Sequence, residues 1–339
     1  MTNDIALVYP SIIGSSGTKS YVENTMSGLK KIGIHFQSIP ISKREVSIMG
    51  KPYFGIILQY LSSLTKSSVE SVVHSLSPDV VIKGTNIVTV HDIIPFTNPE
   101  LYMKSAYDRL AYKFSFSRAL KVNTILTSTE FGKKVLTQNT MIREERIRVV
   151  HHSIDHSKFF PASEDPFRDH KKINLVMVSD FNPRKRIDKV IEAIGGDDEI
   201  DFYHIGPSQG WSDNYNALLH KSKNFRNIRF MGQMNSSELR KYLTFADLFV
   251  FLSDNEGFGL PPLEAMACGL NVLVNDLPVF RETLGSLAKF SDLSAFCKDD
   301  IMDALKAKKP KDELIEFSNR YSVENHAKKL NEIYSDVKN

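Results

Sequence analysis

The sequence predicts a protein of two α/β domains, each a parallel sheet layered with helices. Apolar runs of strand length alternate with helix-length amphipathic segments along the whole chain, the pattern of parallel layering. The length, 339 residues, exceeds the ~250–300 at which single cores stop growing. The alternation breaks once, at 159–166, where two prolines among polar residues mark a linker before the pattern restarts. The expected organisation is a first domain over 1–158, a second over 159–320 and a closing helical segment over 321–339.

In the first half, apolar runs predict strands at 5–9, 37–41, 80–82, 87–90, 124–127 and 146–150. Gly14-Ser-Ser-Gly17 reads as a turn into a helix that runs to about residue 32. In the second half, strands are predicted at 173–178, 201–205, 228–230, 248–252 and 271–274, with helices at 186–194, 236–245 and 262–268 between them. A charged, amphipathic stretch over 323–337 is the last helix. Two such domains on one linker would face each other across a cleft at the carboxyl ends of their strands, where open α/β sheets bind ligands. No G-x-G-x-x-G follows a strand, so a dinucleotide site is disfavoured.

Composition narrows the class further. With 42% hydrophobic and 24% charged residues, neither a disordered nor a fibrous chain is indicated. Cys268 and Cys297 are too few for a disulfide framework and lack zinc-site spacing, which fits a reducing, cytoplasmic setting. The first ten residues do not read as a signal peptide, and no apolar stretch reaches the ~18–20 residues that span a bilayer. Residues 1–160 hold 19 Lys/Arg against 12 Asp/Glu, and the remainder 24 against 28. The basic half suits an anionic partner such as a lipid phosphate or the cytoplasmic face of a membrane, touched peripherally; an uneven but solvated surface explains the same counts. Nucleic acid is disfavoured for lack of a binding motif. The segment 102–121 interleaves aromatic and basic residues and could rest on a membrane interface or grip a lipid-linked acceptor, although a surface helix with its apolar face in the core is favoured.

The most informative stretch runs from Ser253 to Ala267 behind the strand at 248–252: strand, tight loop, helix start. Gly257 and Gly259 remove side chains so that backbone N–H groups can approach a ligand, and Pro261 and Pro262 preorganise the first helical turn. Glu256 and Glu264 bracket the loop with seven residues between them. Glu256 on the loop could contact a sugar, and Glu264, placed in the first helical turn, could accept both hydroxyls of a ribose. The plain alternatives are a solvated loop residue and a carboxylate complementing the helix dipole.

This segment resembles the E-x7-E signature of the family 4 retaining glycosyltransferases, and the resemblance extends over nearly the whole chain. It includes Gly14-Ser-Ser-Gly17, His91-Asp92, the stretches 128–131 and 149–155, Pro183-Arg184-Lys185 and 228–232, in matching order and spacing. Residues 89–96, Thr-Val-His-Asp-Ile-Ile-Pro-Phe, look like the mannosyltransferase-type branch. The resemblance implies the GT-B fold, two Rossmann-like domains facing across a cleft, with the C-terminal helix returning to the first. It also implies that Glu264 holds the nucleotide ribose and that Glu256 with Gly257, Phe258, Gly259 and Leu260 meets the donor sugar. Arg184 and Lys185 would meet the diphosphate, His91 would lie under the anomeric carbon, and the Gly14 to Gly17 loop would stand near the diphosphate or acceptor. For His91 the alternative is a packed histidine at a strand end. Asp180 stands in the donor site where the family often carries an arginine; His152 and Ser153 replace an asparagine and a glycine, and Val323 a tryptophan.

The chemistry agrees with those roles. Breaking the bond from anomeric carbon to diphosphate leaves an oxocarbenium-like sugar and a leaving group gaining negative charge, which cations and helix N–H groups must meet. Arg184, Lys185 and Arg186 follow a strand and an Asn-Pro turn at a helix start, a phosphate position. No convincing Asp-x-Asp is present to hold a metal, so no metal or other cofactor is expected. The resulting expectation is transfer from a nucleotide diphosphate sugar, GDP-mannose ahead of UDP-sugars, to a glycan or lipid-linked acceptor held mostly by the first domain. Competing readings are a sugar-nucleotide epimerase or hydrolase on the same architecture, and a non-catalytic sugar-nucleotide-binding subunit.

Overall fold

Val, Ile, Leu and Phe fill the strands on both faces, as strands covered by helices on either side require. The computed structural model describes residues 4–11, 16–41, 72–91, 94, 100, 109, 113, 116–167 and 171–338. It divides the chain into two compact units, one of residues 1–153 with 323–339, the other of residues 154–322. The division falls five residues before the expected 158/159 boundary. Ile154 N–H donates to Tyr321 O at 2.7 Å, and Ile154 forms a parallel bridge with Ser322, so the segment entering the second unit pairs with the segment leaving it.

The first unit contains β1 (Ile5–Pro10), α1 (Ser16–Lys31), β2 (Gln37–Ile41), β3 (Val72–Ser75), β4 (Ile87–Thr89), β5 (Thr124–Thr127), α2 (Glu130–Asn139) and β6 (Ile147–Val149). Its sheet has the order β2-β1-β3-β4-β5-β6 and every pairing is parallel. The strand expected at 80–82 is not formed. Ser77 accepts from Asp79 N–H and Pro78 starts a 3₁₀ turn over Pro78–Val80, so the chain turns there. The strand in that position of the sheet is β3, whose buried His74 disguised it as a polar segment; Tyr334 and Thr89 hydroxyls bond its two ring nitrogens at 2.7 and 2.8 Å.

The C-terminal helix (Val323–Lys338) belongs to this unit. Its Ala327, Leu330, Ile333 and Tyr334 complete a core with Leu7, Tyr21, Leu29 and Leu76. Gly28 on α1 makes the approach possible: a Cβ there would stand 2.2 Å from the Val323 carbonyl oxygen.

The second unit contains β7 (Ile173–Val178), α3 (Ile187–Ile194), β8 (Ile200–Ile205), α4 (Ser212–Ser222), β9 (Ile228–Phe230), α5 (Ser236–Phe245), β10 (Leu248–Phe251), α6 (Leu260–Ala267), β11 (Val272–Asn275), α7 (Pro278–Leu284), β12 (Lys289–Ser291), α8 (Lys298–Lys306) and α9 (Lys311–Ser318). The sheet order is β12-β11-β10-β7-β8-β9, again wholly parallel. Strand β12 was not foreseen, because Lys-Phe-Ser at a sheet edge carries no apolar run. From β7 the chain proceeds outward through β8 and β9, then returns to β10 on the other side of β7. The β7/β10 boundary is therefore the topological switch point, where the loops after the two strands diverge and leave room for a ligand. Among the described residues no helix is long and apolar enough to cross a membrane. Cys268 is buried, Cys297 exposed, and both are free thiols.

Candidate active site

The two loops at this switch point carry the charged residues singled out above. After β7, Asn182 caps a 3₁₀ turn over Pro183–Lys185 by accepting from Arg184 N–H at 3.1 Å. After β10, the loop is pinned at its root by reciprocal bonds between Ser253 and Asn275: Ser253 N–H donates to Asn275 Oδ1 at 2.8 Å, and Asn275 Nδ2 donates to Ser253 O at 2.9 Å. The loops are also tied to each other, since Asp254 N–H donates to Arg184 O at 2.8 Å. Gly259 ends the second loop at φ +89°, where an added Cβ would lie 2.8 Å from the Phe280 ring, so only glycine fits. Helix α6 follows at once, with Pro261 and Pro262 in its first turn. Glu264 falls in the second turn rather than the first, because the helix begins at Leu260.

Glu256 is enclosed by cations. Its Oε1 accepts from Arg184 Nη1 and from Lys185 Nζ, each at 2.6 Å. Arg184 Nη1 also donates to Asn255 O at 2.6 Å and Ser253 Oγ at 3.2 Å, and Lys185 Nζ stands 4.8 Å from the Phe251 ring centroid. Burial pushes the Glu256 carboxyl up, but the Arg184 and Lys185 charges outweigh it and hold it at about 2. For Lys185 burial is the largest influence and lowers the ammonium, with Glu256 opposing.

Glu264 has the opposite environment. Its carboxyl is partly buried and, among the described residues, has no hydrogen-bond partner. Burial raises it to about 7, with only the Lys158 charge opposing. A carboxyl withdrawn from water without a donor of its own is suited to accept hydroxyls from a ligand.

Residues 161–320 match the family described as glycosyl transferases group 1. Over 275 residues the chain is 25% identical to the O-antigen chain mannosyltransferase RfbU of Salmonella typhimurium, an alignment covering 75% of this chain and 71% of that one. It is 26% identical over 236 residues to O-antigen chain mannosyltransferase B of Escherichia coli, covering 61% of this chain and 57% of its relative. The chain is a glycosyltransferase, and its residues 161–320 carry the domain of that group. Its fold is shared with Anabaena HepE, solved in complex with UDP-glucose, at a TM-score of 0.75 and 13% identity over 98% of this chain and 99% of that one. The two parallel sheets and this likeness identify the GT-B fold.

The glycosyltransferase places the other expected site residues unevenly. Phe258 turns its ring inward, 5.7 Å from that of Tyr321, and Leu260 is buried in the first turn of α6. Only the backbone of these two positions is left to meet a ligand. Asp180 Oδ1 accepts from Asn182 N–H at 3.4 Å and contributes a negative charge near Lys185. Gly17 is exposed at the start of α1, while Gly14 and Asp92 lie outside the described residues, as does most of the 102–121 segment. His91, in the first unit, has both ring nitrogens engaged: Nε2 donates to Leu76 O at 2.9 Å, which leaves Nδ1 to accept from His152 Nε2 at 3.2 Å. Burial holds its imidazole neutral, at about 4. Sequence reasoning missed Asn275, which pins the loop, and the Arg186 pairing with Asp254 at 3.1 Å. A lone asparagine at the end of a strand was the only available signal for the first, and the second joins residues 68 positions apart.

Proposed function

We propose that this glycosyltransferase is a retaining enzyme that transfers mannose from GDP-mannose to a glycan or lipid-linked acceptor, with UDP-linked sugars as the second donor class. The observation carrying the nucleotide-sugar reading is the unpartnered Glu264 carboxyl in the same unit as the Arg184–Lys185–Glu256 cluster. In this reading Glu264 accepts the ribose hydroxyls, Arg184 and Lys185 neutralise the diphosphate as it departs, and Glu256 with the backbone of Gly257 and Gly259 meets the transferred sugar. Asp180 adds a smaller negative charge that, after Glu256, opposes the effect of burial on Lys185. His91, fixed as one neutral tautomer with both ring nitrogens engaged, is assigned to the sugar as an uncharged ring beneath it rather than as a proton donor. Mannose is favoured because the relatives RfbU and O-antigen chain mannosyltransferase B are named for it.

The experiment is a transfer assay with GDP-mannose and UDP-glucose against lipid-linked oligosaccharide acceptors, with the anomeric configuration of the product read by NMR. Mannose transferred with retention is the expected result. Donor turnover that never depends on an added acceptor would favour the epimerase or hydrolase alternative, and a product of inverted configuration would remove the retaining assignment.

A further inference from the structure

In a site meant to hold a diphosphate, both cations are already taken. A single oxygen of Glu256 holds Arg184 Nη1 and Lys185 Nζ, each at 2.6 Å, and the three side chains are only 8%, 14% and 9% exposed, in that order. Desolvating three charges costs several kcal/mol per ion, and well-packed apolar side chains would serve stability as well or better. The arrangement must be explained by something other than stability. Asp180 adds a second negative charge near Lys185.

We infer that Glu256 is an internal stand-in for the leaving diphosphate: it pairs with Arg184 and Lys185 and yields both to the donor's phosphates when the donor binds. The inference rests on the diphosphate reading of these cations. Exchange leaves neither cation bare, because one anion replaces another on the same two donors, and the released carboxylate takes the hydroxyls of the transferred sugar as its new partners. Released from its ion pairs, the carboxylate is able to accept hydroxyls from the transferred sugar, so its sugar role begins only when the donor is bound. The exchange also runs backwards. After transfer, Glu256 competes with the nucleoside diphosphate for the cations and speeds its departure.

The test uses inorganic pyrophosphate as probe, titrated calorimetrically into the full chain, so that no assumption about the donor's base enters. Glu256→Gln keeps the shape and removes the competing charge, and is expected to bind pyrophosphate at least roughly tenfold tighter than the parent while turnover falls. Affinity equal to or weaker than the parent's overturns the inference. Should Glu256→Gln fail to fold, Glu256→Asp decides in its place: the shorter side chain loosens the pairs, so tighter pyrophosphate binding supports the exchange and unchanged or weaker binding overturns it. Lys185→Ala separates the two layers. It should lose pyrophosphate binding, and parental affinity in that variant would overturn the diphosphate reading itself.

Discussion

Glu256 and Glu264 are the same side chain driven in opposite directions by their surroundings, one held at about 2 by two cations and the other raised to about 7 by burial. For Glu264 the sign can be followed through. Its unfolded form loses a proton near the ordinary carboxylate value while the folded form keeps it to about 7, so the stabilising contribution is full at low pH and lost as pH rises through 7. Glu264→Gln should accordingly melt higher than the parent at pH 8, and equal melting temperatures there would count against the burial argument. Nucleotide binding runs the other way, because ribose hydroxyls donate best to the ionised carboxylate. GDP affinity should rise between pH 6 and pH 8, and Glu264→Ala should lose about 1.5–3 kcal/mol of it, the range for hydrogen bonds to charged groups. Lys185 gives a second residue-level prediction: Lys185→Ala is expected to lower turnover roughly 10²–10³-fold, while wild-type activity persists in EDTA. Activity abolished by the chelator and restored by magnesium or manganese would move the neutralising role from side chains to a metal.

At the scale of elements, the active-site loops are held by a strained hinge. Arg186 has φ +46°, and among the described residues it is the only non-glycine with positive φ. A left-handed residue of this kind costs roughly 1–2 kcal/mol. Its guanidinium reaches Asp188 at 3.3 Å and Asp254 at 3.1 Å, and so connects the N-terminus of α3 to the loop that carries Glu256. These pairs are partly exposed and worth only about 0.2–1 kcal/mol each. Arg186→Gly should therefore leave the melting temperature nearly unchanged, because relief of strain offsets the lost pairs. Turnover should fall roughly tenfold as the loop loses its register, and Arg186→Lys should restore part of it. A glycine variant with full turnover would make the latch merely decorative. The same scale explains which elements could be read in advance. Strands β7 to β11 announced themselves by apolar runs, whereas β3 contains a histidine and β12 a lysine, and their pairing depends on neighbours distant in sequence.

Across the first unit as a whole, a buried polar network joins sheet, first helix and last helix. Tyr21 and Thr89 hydroxyls meet at 2.9 Å, His74 bridges Thr89 to Tyr334, and Thr25 meets His326, whose Nδ1 bonds the His151 carbonyl at 2.7 Å. Burial lowers His74 to about 3 and both His91 and His326 to about 4. A depressed histidine takes up its proton in the unfolded state first, so stability is full above about pH 6.5 and is lost as pH falls toward 4. Each such group should cost on the order of 2 kcal/mol between pH 6.5 and 5. Thermal unfolding across that interval is expected to show a steep acid loss, shallower in His326→Gln, and a flat profile would mean that these histidines are solvated.

The sequence by itself determined the alternation of strands and helices, the bipartite α/β plan and the loop from Ser253 to Gly259. Those features depend on periodicity, on glycine and proline and on residues adjacent in the chain, which are local and visible in one dimension. The resemblance already implied that the last helix returns to the first domain; tertiary structure alone decided that it packs over Gly28, and that β7 and β10 stand side by side. That adjacency brings Arg184 and Lys185 onto one oxygen of Glu256 while leaving Glu264 without a partner among the described residues. Distances between residues some 70 positions apart, and the burial that moves their proton affinities, exist only once the chain has folded.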